Sequence, residues 1–486
     1  MSEAVRALKP KALWNHFEDL NAVPRPSKKE ERVTAFVKAF GESLGLETLV
    51  DDIGNVLIRK PATQGMEDRK AAILQGHIDM VHQKNSDTDF DFDTMGIQSY
   101  VDGDWVKAKG TTLGSDNGMG VAAAMSILSS TDIPHGPIEA LFTVDEETGM
   151  TGAFALQKNW CKGEVLLNMD YEDEGELCIG CAGGIDTNIT GNYQEESAPD
   201  AHQAFRLIMK WLKGGHSGVE IHLQRGNSNK LVTRLLWEAS RKFELRVVSF
   251  DGGSLRNAIP REAFVNVLVP NNHSEAFKAF VSDFEKQVKA NLSSTDPNAS
   301  LACEAADAAA KCMSKQDQTN WLNALYANPN GVFKMSSDIE GLVETSTNLS
   351  RVHIEDGQIL VQCLTRSSVE EAKLDCAQMI ESAYAVTGAS VEHAGDYPGW
   401  TPNPKSDILD TCQSIYNDMF GKIPEVMAIH AGLECGIISQ SHPNLDMIAF
   451  GPTIRNPHSP DEMVDIRTVQ KFWKFLLEIL KQMPKK

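Results

Sequence analysis

Four short apolar runs in this chain each stop at a side chain able to bind a metal ion, and that coincidence narrows the fold more than any other feature. Residues 71–74 (AAIL) lead to Gly76, His77, Ile78 and Asp79. Residues 138–144 (IEALFTV) lead to Asp145, Glu146 and Glu147, and 165–167 (VLL) lead to Asn168, Met169 and Asp170. Residues 447–450 (MIAF) lead to Gly451, Pro452 and then His458. Buried-type strands alternating with helical patterns predict an α/β domain. Ligands of open α/β sheets gather at the carboxyl ends of the strands, where these polar residues fall, so the four runs predict one shared site.

The middle of the chain reads differently. Segments 204–211, 245–250, 262–269 and 359–365 have the composition of strands, and 274–292 and 369–386 that of helices. This predicts a second, α+β domain inserted into the first, an organisation that 486 residues can accommodate. The Gly-rich 180–184 (GCAGG) and the Pro/Gly-rich 396–404 are the expected boundaries. The division is then 1–183 and 397–486 for the two parts of the catalytic domain, with 184–396 inserted; helical patterns at 408–419 and 469–483 return the chain to the first domain.

Charge removes whole classes of function. With 46 Lys+Arg against 67 Asp+Glu, the formal net charge is -21, which repels nucleic-acid backbones and anionic lipid; neither is an expected partner. At 42% hydrophobic and 23% charged residues the composition is that of a globular protein. The opening MSEAVRALKPK has no basic region followed by an apolar one, and no later stretch has the apolar length of a membrane span, so the expected location is the cytoplasm. Nine cysteines, odd in number and unevenly spaced, suit reduced thiols. Cys178 and Cys181 form a lone CxxC, and a zinc ribbon needs a second, so both are expected to be buried structural thiols.

His77 and Asp79, two apart at a strand end, point to the same side, which lets the carboxylate orient the ring of a metal-bound imidazole. A capped strand end with a hydrogen-bonded histidine is the competing reading. Residues 111–120 (TTLGSDNGMG) read as a loop between strand and helix with Asp116 at its tip. A phosphate loop would end in Gly-Lys-Ser/Thr, which is absent, and an acidic residue there suits a cation instead. Asp145, Glu146 and Glu147 read either as the start of a helix or as a strand end with neighbouring glutamates pointing oppositely, one to a metal and one to the substrate as general base. Asp170 opens the acidic 171–176 (YEDEGE), and His458 lies in the proline-stiffened 452–460 (PTIRNPHSP). Two histidines and three carboxylates without thiolate favour zinc, manganese or cobalt, and one carboxylate is able to bridge two ions.

The segments LQGHIDMV, TLGSDNG, FTVDEETG, NMDYEDEGELCIGCAGG and PHSPDE resemble the co-catalytic dizinc metallopeptidases of the aminoacylase, carboxypeptidase and carnosinase type. The resemblance runs over essentially the whole chain, including NAVPRPS and LKGGHSG, and is narrowest to bacterial dipeptidases of that family. It implies an α/β, mixed-sheet catalytic domain with an inserted α+β lid that also carries a homodimer surface. It implies two Zn2+, for which Co2+ or Mn2+ substitutes: Asp116 bridges, His77 and Asp170 complete one ion, and Glu147 and His458 the other. Asp79 orients His77, Glu146 is the base that activates a metal-bridging water, and the peptide bond after Asp116 is cis. His216, in GGHSG, matches the lid histidine that polarises the scissile carbonyl, with a plain turn histidine as the alternative reading. Asn257, Arg366 and Gly432 match contacts to the free carboxylate of a small peptide. The implied activity is hydrolysis of dipeptides, Xaa-His among them. An N-acyl amino acid deacylase or carboxypeptidase on the same metals is the alternative within enzymes, and a non-catalytic, metal-stabilised binding protein the alternative outside them.

Overall fold

The computed structural model describes residues 2–337 and 339–486. By its internal contacts the chain divides into two units. One comprises the residues up to Cys181 together with Trp400–Ala428 and Leu433–Lys486; the other comprises Ala182–Gly399 and Ile429–Gly432.

The first unit is built on an eight-stranded mixed sheet. Its order is Glu47–Val50, Val56–Lys60, Ile138–Thr143, Ala72–His77, Val165–Asn168, Asp446–Ala449, Glu176–Cys181, Glu425–Ile429. The strands Ala72–His77, Ile138–Thr143, Val165–Asn168 and Asp446–Ala449 run parallel to their neighbours among these four. Every residue of the first three is buried, which is why they read as unbroken apolar runs: a parallel sheet covered on both faces has no solvent side to alternate with. All four end at one edge, as expected for the mixed α/β class. Helix Ile466–Gln482 shows how the cover is written in sequence. Asp465 caps it by accepting from the N–H groups of Arg467 and Thr468, and Val469, Phe472, Phe475, Leu476, Ile479 and Leu480 bury one face at three- and four-residue spacing. A four-stranded sheet places Ile454–Arg455 and Met463–Asp465 beside Trp105–Ala108 and Ser99–Asp102, with His458 in the hairpin between the first two.

The second unit is a nine-stranded antiparallel sheet made of two lobes with the same element order. In one, His202–Lys210, Ser228–Phe243, Arg246–Gly252, Ala263–Pro270, Ser274–Asn291 and Ser300–Ala305 run strand, helix, strand, strand, helix, strand. In the other the same series is Gly183–Asn192, Lys315–Ala327, Val343–Glu355, Gln358–Ser367, Glu370–Tyr384 and Ser390–Tyr397. The sheet order makes the lobes mirror each other about the pair Arg246–Gly252 and Val343–Glu355, and Gly331–Met335 adds to the latter. Alternate residues Ala263, Val265, Val267 and Val269 pack with Leu235, Phe277, Val281 and Phe284 into the core, the two-residue period of a sheet covered by helices on one face.

The breaks between the two units fall at 181/182 and 399/400, within 180–184 and 396–404. At the first break the chain is in strand on both sides, Glu176–Cys181 and Gly183–Asn192 with Ala182 between them, and the glycines leave room for a crossing chain. A Cβ on Gly180 would lie 2.5 Å from Pro402, and one on Gly184 2.6 Å from the Tyr397 ring. The expected limits at 183/184 and 396/397 also lack a return: Ile429–Gly432 groups with the second unit, because Ala182 N–H donates to the carbonyls of Ile429 and Ala431.

Candidate metal centre

The parallel strand ends bring the predicted donors together within the first unit. His77 Nε2 lies 3.0 Å from Asp116 Oδ1 and 3.6 Å from Asp170 Oδ1. His458 Nε2 lies 3.2 Å from Asp116 Oδ2 and 3.0 Å from Glu147 Oε2. The groups His77, Asp116, Asp170 and Asp116, Glu147, His458 each offer three donor atoms within 4.8 Å of one another, and Asp116 belongs to both. His77, Glu146 and Glu147 form a further group of the same kind, so proximity alone does not separate the two glutamates.

Local backbone sets these positions. The helix Ser115–Ser129 begins with a kink in which Asp116 (ψ 113) and Asn117 lie outside helical values and the peptide between them is cis. Asn117 Nδ2 then donates to Met169 O and to Asp170 Oδ1, both at 2.7 Å. Glu146 and Glu147 are not in the extended form that would point them oppositely. Asp145 adopts φ 52 and a four-residue helix starts at Glu146, because the Asp79 carboxylate accepts both their N–H groups, at 3.1 and 3.3 Å. Asp79 Oδ1 also lies 3.3 Å from His77 Nδ1. Fully buried, it holds an imidazole with one oxygen and a backbone turn with both.

Electrostatics mark the cluster as a place for cations. Burial alone would lower the His77 pKa, but Asp170, Asp116 and Asp79 outweigh it and raise it well above the usual imidazole value, the effect of negative charge that a divalent ion in place of the proton would also satisfy. Desolvation works the same way on His458, and Asp116 and Glu147 nevertheless raise it to about 11. Burial pushes Glu147 up to about 7 and Glu172 to about 9, with the negative charge of Asp116 adding to each. Glu146 is raised well above the usual carboxylate range by burial, against the charge of His77 and with that of Asp170, Glu147 and Glu434. Carboxylates packed this closely repel one another unless positive charge sits among them; the donor set of two imidazole nitrogens and oxygens fits divalent zinc, cobalt or manganese.

A buried belt underlies the strand ends. Asn168 Nδ2 donates to Gln75 Oε1 at 2.5 Å, Gln75 Nε2 to Glu434 Oε2 at 2.6 Å, and Thr143 Oγ1 to the same oxygen at 2.6 Å. Gln75 and Asn168 stand two residues before His77 and Asp170, on the same faces of their strands. Sequence reading stopped at Gly432 and missed Glu434; a carboxylate in the apolar run LECGII was the signal. Glu172, Glu462 and Arg25 lay inside quoted motifs without receiving a role.

The remaining candidates lie in the second unit. His216 Nδ1 accepts from the N–H groups of Gly218 and Val219 at 3.1 and 3.0 Å, which places the proton of a neutral ring on Nε2. The His216 backbone bridges to Ala258, and Ser217 N–H donates to Asn257 O at 2.8 Å. A Cβ on Gly218 would meet His430 O at 2.3 Å and Arg366 Nε at 3.0 Å, so these three elements converge. Arg366, 5% exposed, donates to the Tyr397 hydroxyl at 2.7 Å. His430, which sequence reading passed over, pairs with Ser346 Oγ at 2.7 Å, and burial together with the charges of Arg366 and His216 lowers it to about 3. Gly432 ends the segment that carries His430.

Among the described residues no helix is long and apolar enough to cross a membrane. A family model described as peptidase family M20/M25/M40 matches residues 73–482. Over 486 residues, 100% of both chains, the sequence is 42% identical to the cytosol non-specific dipeptidase of Escherichia coli (strain K12). The crystal structure of aminoacylhistidine dipeptidase from Vibrio alginolyticus matches with a TM-score of 0.93 at 45% identity, over 100% of this chain and 99% of that one. Aminopeptidase PepT from Bacillus cereus shares the fold, with a TM-score of 0.58 at 16% identity over 98% and 99% of the two chains. A family model over residues 73–482, together with full-length identity at this level, makes the chain a member of peptidase family M20/M25/M40.

Proposed function

We propose that the chain is a dinuclear zinc dipeptidase. The observation that carries the reading is Asp116, shared between two three-donor groups; the names of the Escherichia coli and Vibrio relatives support the substrate class. His77, Asp116 and Asp170 would hold one ion, and Asp116, Glu147 and His458 the other. When bound, such ions supply Lewis acidity that polarises a peptide carbonyl and makes water acidic enough to attack at neutral pH.

The protein's own groups do the rest. Glu146, half-buried at the start of its helical turn, takes a proton from the attacking water as the water oxygen bonds to the carbonyl carbon, and gives it to the amine as the C–N bond breaks. Asp79 fixes the His77 ring and the turn that carries Glu146. His216, with its proton on Nε2, donates to the developing oxyanion, and Arg366, with Asn257 and Gly432, receives the free carboxylate of the dipeptide. The reading includes a cytosolic location, for which the name of the Escherichia coli relative is the support, and a homodimer through the second unit, where Trp211, Leu255, Phe333 and Met335 are exposed.

A chelation experiment tests it. The metal-free chain should lose hydrolysis of dipeptides, and added Zn2+, Co2+ or Mn2+ should restore it, with tripeptides and N-acyl amino acids turned over less well. Full activity without metal, or preference for N-acyl amino acids, would replace this reading.

A further inference from the structure

Two fully buried charges grip one loop beside the donors. The Glu462 carboxylate, 2% exposed, accepts five hydrogen bonds from residues 113–116. They come from the N–H groups of Leu113 (2.7 Å), Gly114 (3.1 Å), Ser115 (2.7 Å) and Asp116 (3.4 Å), and from the Ser115 hydroxyl (2.6 Å). Arg25, 1% exposed, holds the same loop from its other side, donating to Gly114 O at 2.6 Å. Its second amino group donates to the carbonyls of Ile78 and Asp79, at 3.2 and 2.9 Å. The Gly114 peptide is thus held at both ends. Only glycine fits there: φ is +71, and a Cβ would sit 2.4 Å from Arg25 Nη2.

These two side chains join three of the five segments that bring donors to the cluster. Arg25 ties the strand end of His77 and Asp79 to the loop of Asp116; Glu462, four residues beyond His458, ties the C-terminal hairpin to that same loop. His458 is an exposed residue at φ 61 on a turn, so its own side chain has little packing to fix it. We propose that Arg25 and Glu462 are positioning residues that act as one clamp on residues 113–116 and set the distance of His458 and His77 from Asp116. This rests on the metal reading above. Neither side chain needs to touch an ion or substrate.

The test uses the full-length chain in the variants Glu462→Gln, Arg25→Met and the pair together, with Ser115→Ala as a milder cut of one bond. Metal-free protein is titrated with Zn2+, the absorption of the Co2+-loaded form is recorded, and the metal-free melting temperature is measured alongside. An amide at position 462 turns N–H groups toward N–H groups, so affinity for one of two ions should fall about 10–100-fold and the Co2+ spectrum should change. The double variant should be little worse than the worse single one, because the two grip one peptide. In turnover, kcat should fall with KM held. Unchanged affinities and spectrum with a lowered melting temperature would reduce the pair to a structural role, and additive losses would overturn the single clamp. If Glu462→Gln does not fold, Ser115→Ala and Arg25→Lys carry the same test, an unchanged Zn2+ titration in both overturning the proposal. An unmodified chain that binds two ions but hydrolyses no dipeptide would sink the proposed function and leave the clamp standing; one that binds none would sink both.

Discussion

The histidines of the candidate metal centre and one buried histidine of the second unit have opposite surroundings. In the first, His77 and His458 sit among Asp79, Asp116, Glu147 and Asp170, whose negative charge raises the pKa of both rings. In the second, His430 lies beside Arg366 and near His216, buried and neutral down to about pH 3. The same side chain is therefore set for opposite partners. Carboxylate-rich strand ends make a place for cations, whereas a buried guanidinium beside a neutral imidazole suits an anion such as a peptide carboxylate. The division of labour in the proposed reaction follows: metal retention and proton transfer belong to the first unit, substrate reading to the second.

Substitutions that separate metal content from turnover probe this division most directly. Glu146→Gln should lower kcat by up to about 10⁴-fold, the upper range for removing a general base, while the chain keeps both ions. Loss of metal from this variant, with Glu147→Gln retaining it, would reverse the roles of the two glutamates, which proximity leaves equal. His216→Ala should cost about 10²–10³-fold in kcat, as removal of an oxyanion donor does, and leave metal content untouched. Near-normal turnover would return His216 to the plain turn histidine that its bonds to Gly218 and Val219 N–H also permit. Arg366→Met should act mainly on KM, by about 10–100-fold for a charge-assisted bond lost, and hardly on a peptide whose carboxyl end is amidated. Equal effects on both peptides would break the anion half of the contrast.

The smallest effect is on stability. His430 has its pKa lowered on folding, from about 6.5 to about 3, so between those values the unfolded chain binds more protons than the folded one. Stability contributed by the neutral ring is complete above pH 6.5 and is lost as pH falls through the window toward 3. His430→Gln, which keeps a polar group near Ser346, should flatten the fall in melting temperature over that range; an unchanged slope would mean the ring is not neutral in the fold.

Legibility in the sequence also differs between the units. His77, Asp116, Glu147, Asp170 and His458 were visible because each follows or adjoins an apolar run, and parallel strands must end at a common edge. The strand Val343–Glu355 was not. Its first eight residues are all buried, yet Thr345, Ser346, Thr347 and Asn348 are polar, satisfied sideways by Ser367, His430, Thr365 and Ala258 O. Burial bought with hydrogen bonds leaves no apolar pattern to read. At Glu146–Gly149 the sequence left a helix start and a strand end both open, and the choice is made by Asp79, far away in the chain.

What the sequence determined on its own was the α/β class and the set of candidate donors, since local periodicity and the chemistry of side chains after strand ends are properties of short segments. Tertiary structure alone decided the partners of Arg25, Glu434 and Glu462. Glu462 meets the N–H of Ser115 across 347 residues of sequence, and Glu434 meets Gln75 across 359. A buried carboxylate has the same local appearance whichever amide it reaches, and only the folded chain selects which one that is.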